Sequence, residues 1–251
     1  MGKMEESIFM GINISGGKRP YTYAVVDVEL KLLALDNGSL QEVLAYAAGD
    51  RVAVIGVNAP SSLNQKLMGR HEYREKFNPP PPEGRWMNLR MGEYELLNIG
   101  ARVFKTPSRM GECPEWMRTG FELYSDLENL SFKPYPYAES EKQWIEAPAE
   151  VCYWSMLGQP LLKGSLLEAR IQRQLILYDR GLQIPDIMEA FEEITRFRLK
   201  HGNFPFGKLY SLSRLNALAA AYTAWLSDNY PEKIKQVGEI LEGKITIPLK
   251  D

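Results

Sequence analysis

Residues 8–57 run IFMGINISGGKRPYTYAVVDVELKLLALDNGSLQEVLAYAAGDRVAVIGV. The stretches 8–14, 21–28 and 30–35 are short and rich in Ile, Val, Leu, Tyr and Phe, and they are interrupted by the turn formers SGGKRP and by Glu29-Leu30-Lys31. Short apolar runs bounded by turns predict strands, and three in succession are most economically antiparallel. Asn37-Gly38 is expected to break the chain, with Ser39 as N-cap before Leu40, Val43, Leu44 and Ala47, apolar positions at helical spacing. The next run, RVAVIGV at 51–57, is almost unbroken in its apolar character. Such a run suits a central strand buried on both faces and paired in parallel with the first. The order is β-β-β-α-β, the opening of an α/β domain.

Working outward, residues 114–130 are expected to form a helix, 143–146 a short strand, and Pro148 the start of another helix. Leu166, Leu167, Ile171, Leu175 and Leu177 mark a helical segment, followed by helices over 187–199 and 212–226 and a final strand over 243–248. The late helices need a surface to cover, and the sheet is the one candidate, so a single domain over 1–251 is expected, with a mixed five-stranded sheet and helices on both faces. Residues 61–142 look like an insertion after the central strand. Within it, residues 61–120 carry ten basic side chains against seven acidic, a charge of +3 that leaves −5 for the remainder. Pro79–Pro82, four consecutive prolines, predict a stiff extended connector there.

Composition excludes several classes. With 45% hydrophobic and 25% charged residues and a net charge of −2, the chain is neither disordered, fibrous nor coiled-coil. Its balance gives no global attraction to nucleic acid, although a local basic groove would not register in that total. Two cysteines, Cys113 and Cys152, are too few for a disulfide framework or a thiolate zinc site. MGKMEESIF lacks the character of a signal peptide, and no apolar run reaches the length of a membrane helix, so a soluble cytoplasmic protein with no membrane partner is expected.

The residues give little footing to three familiar chemistries. GINISGGKR at 11–19 fails as a nucleotide-binding P-loop, because Lys18 arrives one place late, Arg19 follows where Ser or Thr is needed, and a strand comes next instead of a helix. A glycine turn with Lys18 remains, able to approach a phosphate. The two histidines, His71 and His201, lie near no nucleophile elbow. Cys113 precedes a proline at a predicted helix start, where a thiolate would be favoured, but no paired His accompanies it.

Several phrases in order carry a resemblance. MGIN at 10–13, VIGVNAP at 54–60, RMGEYELLNIGARVFKTP at 90–107, IEAPAEVCYW at 145–154, Lys163 with ARIQRQ at 169–174, and LNALAAAYTAWL at 215–226 are similar to the predicted RNase H-like nucleases grouped as domain of unknown function 429. The resemblance implies an RNase H-like fold and phosphodiester hydrolysis by carboxylates around two divalent ions, Mg²⁺ or Mn²⁺. It also implies where the carboxylates belong: the ends of the first and central strands, a Glu on a later strand, and the opening of the last long helix.

The chain departs from that pattern at three of the four catalytic positions. Asn13, Asn58 and Asn216 stand where Asp is expected, and Glu146 is the one acid retained. Asn keeps the shape of Asp but replaces its charge by a carbonyl and two amide hydrogens. Glu146 alone would support a weak single ion and no tight two-metal centre. Lys163, Arg170 and Arg173 match the family's basic positions, and Arg170 and Arg173, three apart, share one helix face suited to a phosphate. Arg90 belongs to a similar phrase with Glu93 and Glu95, where a structural ion pair stands as an alternative to substrate contact, and with Lys18 it completes the expected substrate-binding set. The expected function is binding of nucleic acid or a phosphate ester with reduced or absent hydrolysis. Two alternatives stand beside it: an active metal-dependent nuclease using Glu146, and a non-catalytic interaction protein.

Overall fold

In a computed structural model, which describes residues 7–15, 19–49, 51–164 and 166–250, the first predicted strand is β1, Ile8–Ile14, and all seven of its residues are buried. It pairs antiparallel with β2, Tyr21–Asp27, and parallel with β4, Val52–Asn58. β2 pairs in turn with β3, Leu32–Gly38, and helix α1, Leu40–Ala47, makes the crossover from β3 to β4. Ser39 caps α1 as expected, in a capping box completed by Glu42. Asn37-Gly38 does not end β3 early, because Asn37 pairs with Thr22 and its Oδ1 accepts from Thr22 Oγ1 at 2.8 Å. The left-handed conformation falls at Leu30, in the turn between β2 and β3.

The sheet is larger than the five strands expected. Its order is β3-β2-β1-β4-β6-β8-β7, with β5 off that path, eight strands in one mixed sheet. β6, Gln143–Glu146, continues the parallel centre beside β4, and β8, Ile245–Pro248, lies parallel to β6 at Glu146. The strands missed in the sequence are β5, Lys133–Pro134, and β7, Ile234–Val237, the latter antiparallel to β8. β5 is only two residues long and exposed, and β7 keeps just Val237 buried, so neither carries a run of apolar residues.

Between β4 and β6 lie α2, His71–Arg74, α3, Met91–Asn98, and α4, Glu115–Asn129. The last of these is core: Leu123 and Leu127 pack with Val43 and Ala47 of α1 against Met10, Ile12, Ile55 and Val57. Pro79–Pro82 lie in neither helix nor strand. After β6 come α5, Ala149–Leu157, α6, Leu167–Asp179, the short α7, Glu189–Glu192, and α8, Arg196–Lys200, and then α9, Leu212–Asn229. The one helix expected over 187–199 is two, because the Thr195 side chain accepts from Arg198 N and starts a new helix. α5, α6 and α9 cover the opposite face, on Phe9, Ala24, Val26, Val54 and Ile145.

α9 approaches the sheet unusually closely. Gly11 and Gly56 are register partners on β1 and β4, and a Cβ on Gly11 would lie 2.0 Å from Ala217 O and one on Gly56 2.3 Å from Ala220 O. Glycine in two neighbouring strands therefore matches alanine on the helix, and the backbones meet without intervening side chains. Gly11→Ala or Gly56→Ala is expected to lift α9 and lower stability by about 1–3 kcal/mol or more. A denaturant midpoint unchanged from that of the parent chain would contradict this packing.

Candidate functional site

The close seat of α9 fixes the place of Asn216, which lies in its first half. Asn13 and Asn58 end β1 and β4 and are register partners across the parallel pair. The three predicted positions meet: Asn13 Oδ1 accepts from Asn58 Nδ2 at 2.8 Å and from Asn216 Nδ2 at 3.2 Å. Asn58 Oδ1 accepts from the backbone N–H of Ala149, at the start of α5, at 2.8 Å. That last bond orients the whole set. A backbone amide can only donate, so Asn58 must turn its oxygen to Ala149 and its NH₂ to Asn13, which in turn must offer its oxygen. Two amide N–H groups thus meet one oxygen in the space where the resemblance places metal ions.

Glu146 ends β6 nearby and is 2% exposed. Its Oε2 accepts from Ser61 N at 2.8 Å, Ser61 Oγ at 2.9 Å and Arg90 Nη1 at 2.9 Å, while Oε1 accepts from Arg90 Nη2. Arg90 is equally buried, and its guanidinium also donates to Glu93 Oε1 at 2.9 Å through Nε and to the Glu242 carbonyl at 2.8 Å. Glu93 is held further by Thr106, whose N donates to Oε1 at 3.1 Å. Burial pushes the Glu93 carboxyl above its usual range, with the Arg90 charge and the Thr106 and Arg90 donors pulling it back. The phenol of Tyr124, which donates to Ala59 O at 3.0 Å, is raised well above its ordinary value by burial, with the Glu146 charge adding to the rise.

Glu242 was not legible as a site neighbour. It is fully buried and has no cation partner among the described residues, its carboxylate accepting from Gln65 N at 3.0 Å, Leu67 N at 3.2 Å and Met91 N at 2.8 Å. Three backbone donors satisfy that charge and tie the 61–142 segment to the C-terminal strands.

The residues do not fit a divalent-ion centre. The Arg90 guanidinium sits on the Glu146 carboxylate where an ion would have to bind, and the three other positions offer neutral amides bonded to one another. Among the described residues no group of three or more His, Cys, Asp or Glu has the geometry to hold a metal ion.

The expected substrate-binding set divides. Arg90 lines the cleft, but it is a buried structural cation whose donors are committed to Glu146, Glu93 and Glu242. Arg170 turns away and donates to Tyr210 O at 2.9 Å and Leu209 O at 3.2 Å, tying α6 to the approach of α9. Arg173 is fully buried, paired with Glu150 at 2.6 Å and bonded to Leu162 O and Ala169 O. Arg170 meets backbone carbonyls, and Arg173 meets backbone carbonyls and the Glu150 carboxylate, so the phosphate grip expected of them is not formed. Lys163 is exposed in the loop before α6, and Lys18 lies outside the described residues.

The cleft above the amide set has a volume of ≈ 360 Å³. Besides Asn13, Asn58, Asn216, Arg90 and Glu146, its wall includes Trp116, Phe104 and Arg102, none of which the sequence singled out. Neither histidine lines it. Both cysteines are buried, and burial raises the Cys113 thiol and pushes that of Cys152 up to about 12, so neither is a ready nucleophile. No helix among the described residues is long and apolar enough to cross a membrane. Compared with known proteins, the chain matches no family model, no curated protein and no solved structure.

Proposed function

We propose that this chain is an RNase H-like protein that binds a nucleic-acid component in the cleft without two-metal hydrolysis. Support for the fold comes from the β-β-β-α-β opening, with β1 parallel to β4, and from the convergence of the ends of β1, β4 and β6 with the first half of α9. Support for the loss of hydrolysis comes from one observation above all: Asn13 Oδ1 accepts from the amides of both Asn58 and Asn216, so these three positions carry no charge and turn amide hydrogens on the oxygen that an ion would need. A nuclease working from Glu146 alone would first have to displace Arg90, a bidentate cation in a buried site.

Calorimetric titration with Mg²⁺ and Mn²⁺, alongside incubation with single- and double-stranded DNA and RNA, tests this. The expected result is no pair of bound ions and no metal-dependent cleavage above the blank. Two bound ions, or cleavage that chelation abolishes, would overturn it.

A further inference from the structure

The charged lining of the cleft consists of Arg90 and Arg102 against Glu93, Glu146 and Glu150. Arg90 is saturated by its own carboxylates, which leaves Arg102, exposed at the rim, as the one lining cation without an ion pair among the described residues. Glu150 is paired in turn with Arg173 behind it, so the lining charges balance and one exposed arginine at the rim does not by itself hold a phosphate.

The uncharged lining favours a flat, polar ring. Trp116 and Phe104 stand edge to face at 5.3 Å between ring centroids, and Phe104 is 71% exposed, an aromatic surface left open at the cleft mouth. The floor offers amide edges. Among the described residues, Asn216 uses only Nδ2, toward Asn13, so that its Oδ1 accepts nothing, and Asn13 uses only its oxygen. Adjacent carbonyl and amide groups match the donor and acceptor pattern along the edge of a base. The volume of ≈ 360 Å³ lies at the small end of ligand cavities, enough for a base or nucleoside.

We propose that the cleft takes one unpaired nucleobase, stacked on the exposed Phe104 ring that Trp116 supports edge to face, and hydrogen-bonded by the free amide groups of Asn216 and Asn13. This rests on the reading that the cleft binds a nucleic-acid component. It also names which part of that component enters.

The test is calorimetric titration of the intact chain with adenosine, cytidine, guanosine and uridine, with ribose 5-phosphate, with inorganic phosphate and with a short single-stranded oligonucleotide. At least one nucleoside is expected to bind, with ribose 5-phosphate and phosphate showing no binding at the same concentrations. Tighter binding of the oligonucleotide would identify the occupant as a base of a strand, and equal binding a free nucleoside; both outcomes carry the proposal. Phe104→Ala, which truncates an exposed side chain and leaves the core alone, should weaken nucleoside binding about tenfold to a hundredfold, the range that base stacking on an aromatic ring provides. Asn216→Leu should weaken it as well, with circular dichroism confirming the fold. Failure of every nucleoside at millimolar concentration, phosphate fragments binding as tightly as nucleosides, or an unchanged affinity in Phe104→Ala would overturn it. Cleavage of the oligonucleotide with Mn²⁺ would defeat the non-hydrolytic reading separately and leave the base site standing.

Discussion

Replacing Arg90 by Met should cost about 3–5 kcal/mol of folding stability, the range seen when one partner of a buried ion pair is removed and the other charge is left alone. Two buried carboxylates, Glu146 and Glu93, lose their shared cation, and the Glu242 carbonyl loses a donor. The pH dependence gives a second signature. Burial already raises the Glu93 carboxyl, and without Arg90 beside it the shift grows. A carboxyl raised in the folded state adds stability below its unfolded value of about 4.3, and that contribution is lost as pH rises through the folded value. The variant should therefore melt closer to the parent chain at pH 5 than at pH 8. Adding Glu146→Gln to Arg90→Met should recover part of the loss, a coupling that a double-mutant cycle would measure. Arg90→Lys should fall between, because one ammonium cannot span two carboxylates and a carbonyl. A loss below about 1 kcal/mol together with weakened ligand binding would instead make Arg90 a substrate contact, as the resemblance implied.

The first half of the fold was legible because its signals are local. β1 and β4 are largely apolar runs, and Ser39 before the spaced Leu40, Val43, Leu44 and Ala47 announces α1 without reference to anything else. The strands that escaped reading lie where tertiary pairing replaces local pattern. Lys133–Pro134 and Ile234–Val237 join the sheet only because β6 and β8 are there to pair with. α7 and α8 read as one helix because the apolar spacing continues across Thr195, whose capping role shows only in its bond to Arg198 N.

The site divides in the same way. Asn13, Asn58, Asn216 and Glu146 could be named from motif order, and the structure brings the three amides into contact at the strand ends with Glu146 beside them. What could not be read was the direction in which long side chains turn. Arg170 and Arg173 share a face by spacing, but spacing does not say whether a guanidinium meets solvent or the carbonyls of Leu209, Tyr210, Leu162 and Ala169. Arg90 and Glu146 are 56 residues apart, and a pairing over that separation leaves no local trace. Phe104 and Trp116 were passed over because an aromatic residue in a segment of mixed charge carries no pattern until a cleft forms next to it.

Placing acids at the three amide positions should show what the amides now do. In the combined Asn13→Asp, Asn58→Asp and Asn216→Asp variant, the contacts now made at 2.8 and 3.2 Å by amide hydrogens become contacts between carboxylate oxygens. Unit charges about 3 Å apart repel by roughly 5 kcal/mol at an effective dielectric near 20. The variant will relieve part of this by keeping a proton, which raises at least one carboxyl above its unfolded value of about 3.9. The sign follows: stability is retained below about pH 4 and is lost as pH rises through the raised value, so at pH 8 with chelator the variant should melt well below the parent chain. Mg²⁺ or Mn²⁺ should then raise its melting temperature, since an ion bound only by the folded state stabilises it by mass action, while the parent chain stays unmoved. Equal stability of variant and parent at pH 8 would mean that the amide hydrogens contribute nothing to holding the strand ends and α9 together. An equal metal-induced rise in both would mean that the asparagine set already accepts an ion. Because Arg90 still covers Glu146 in the variant, nucleic-acid cleavage is expected to stay absent until Arg90 is replaced as well, which separates recovery of metal binding from recovery of catalysis.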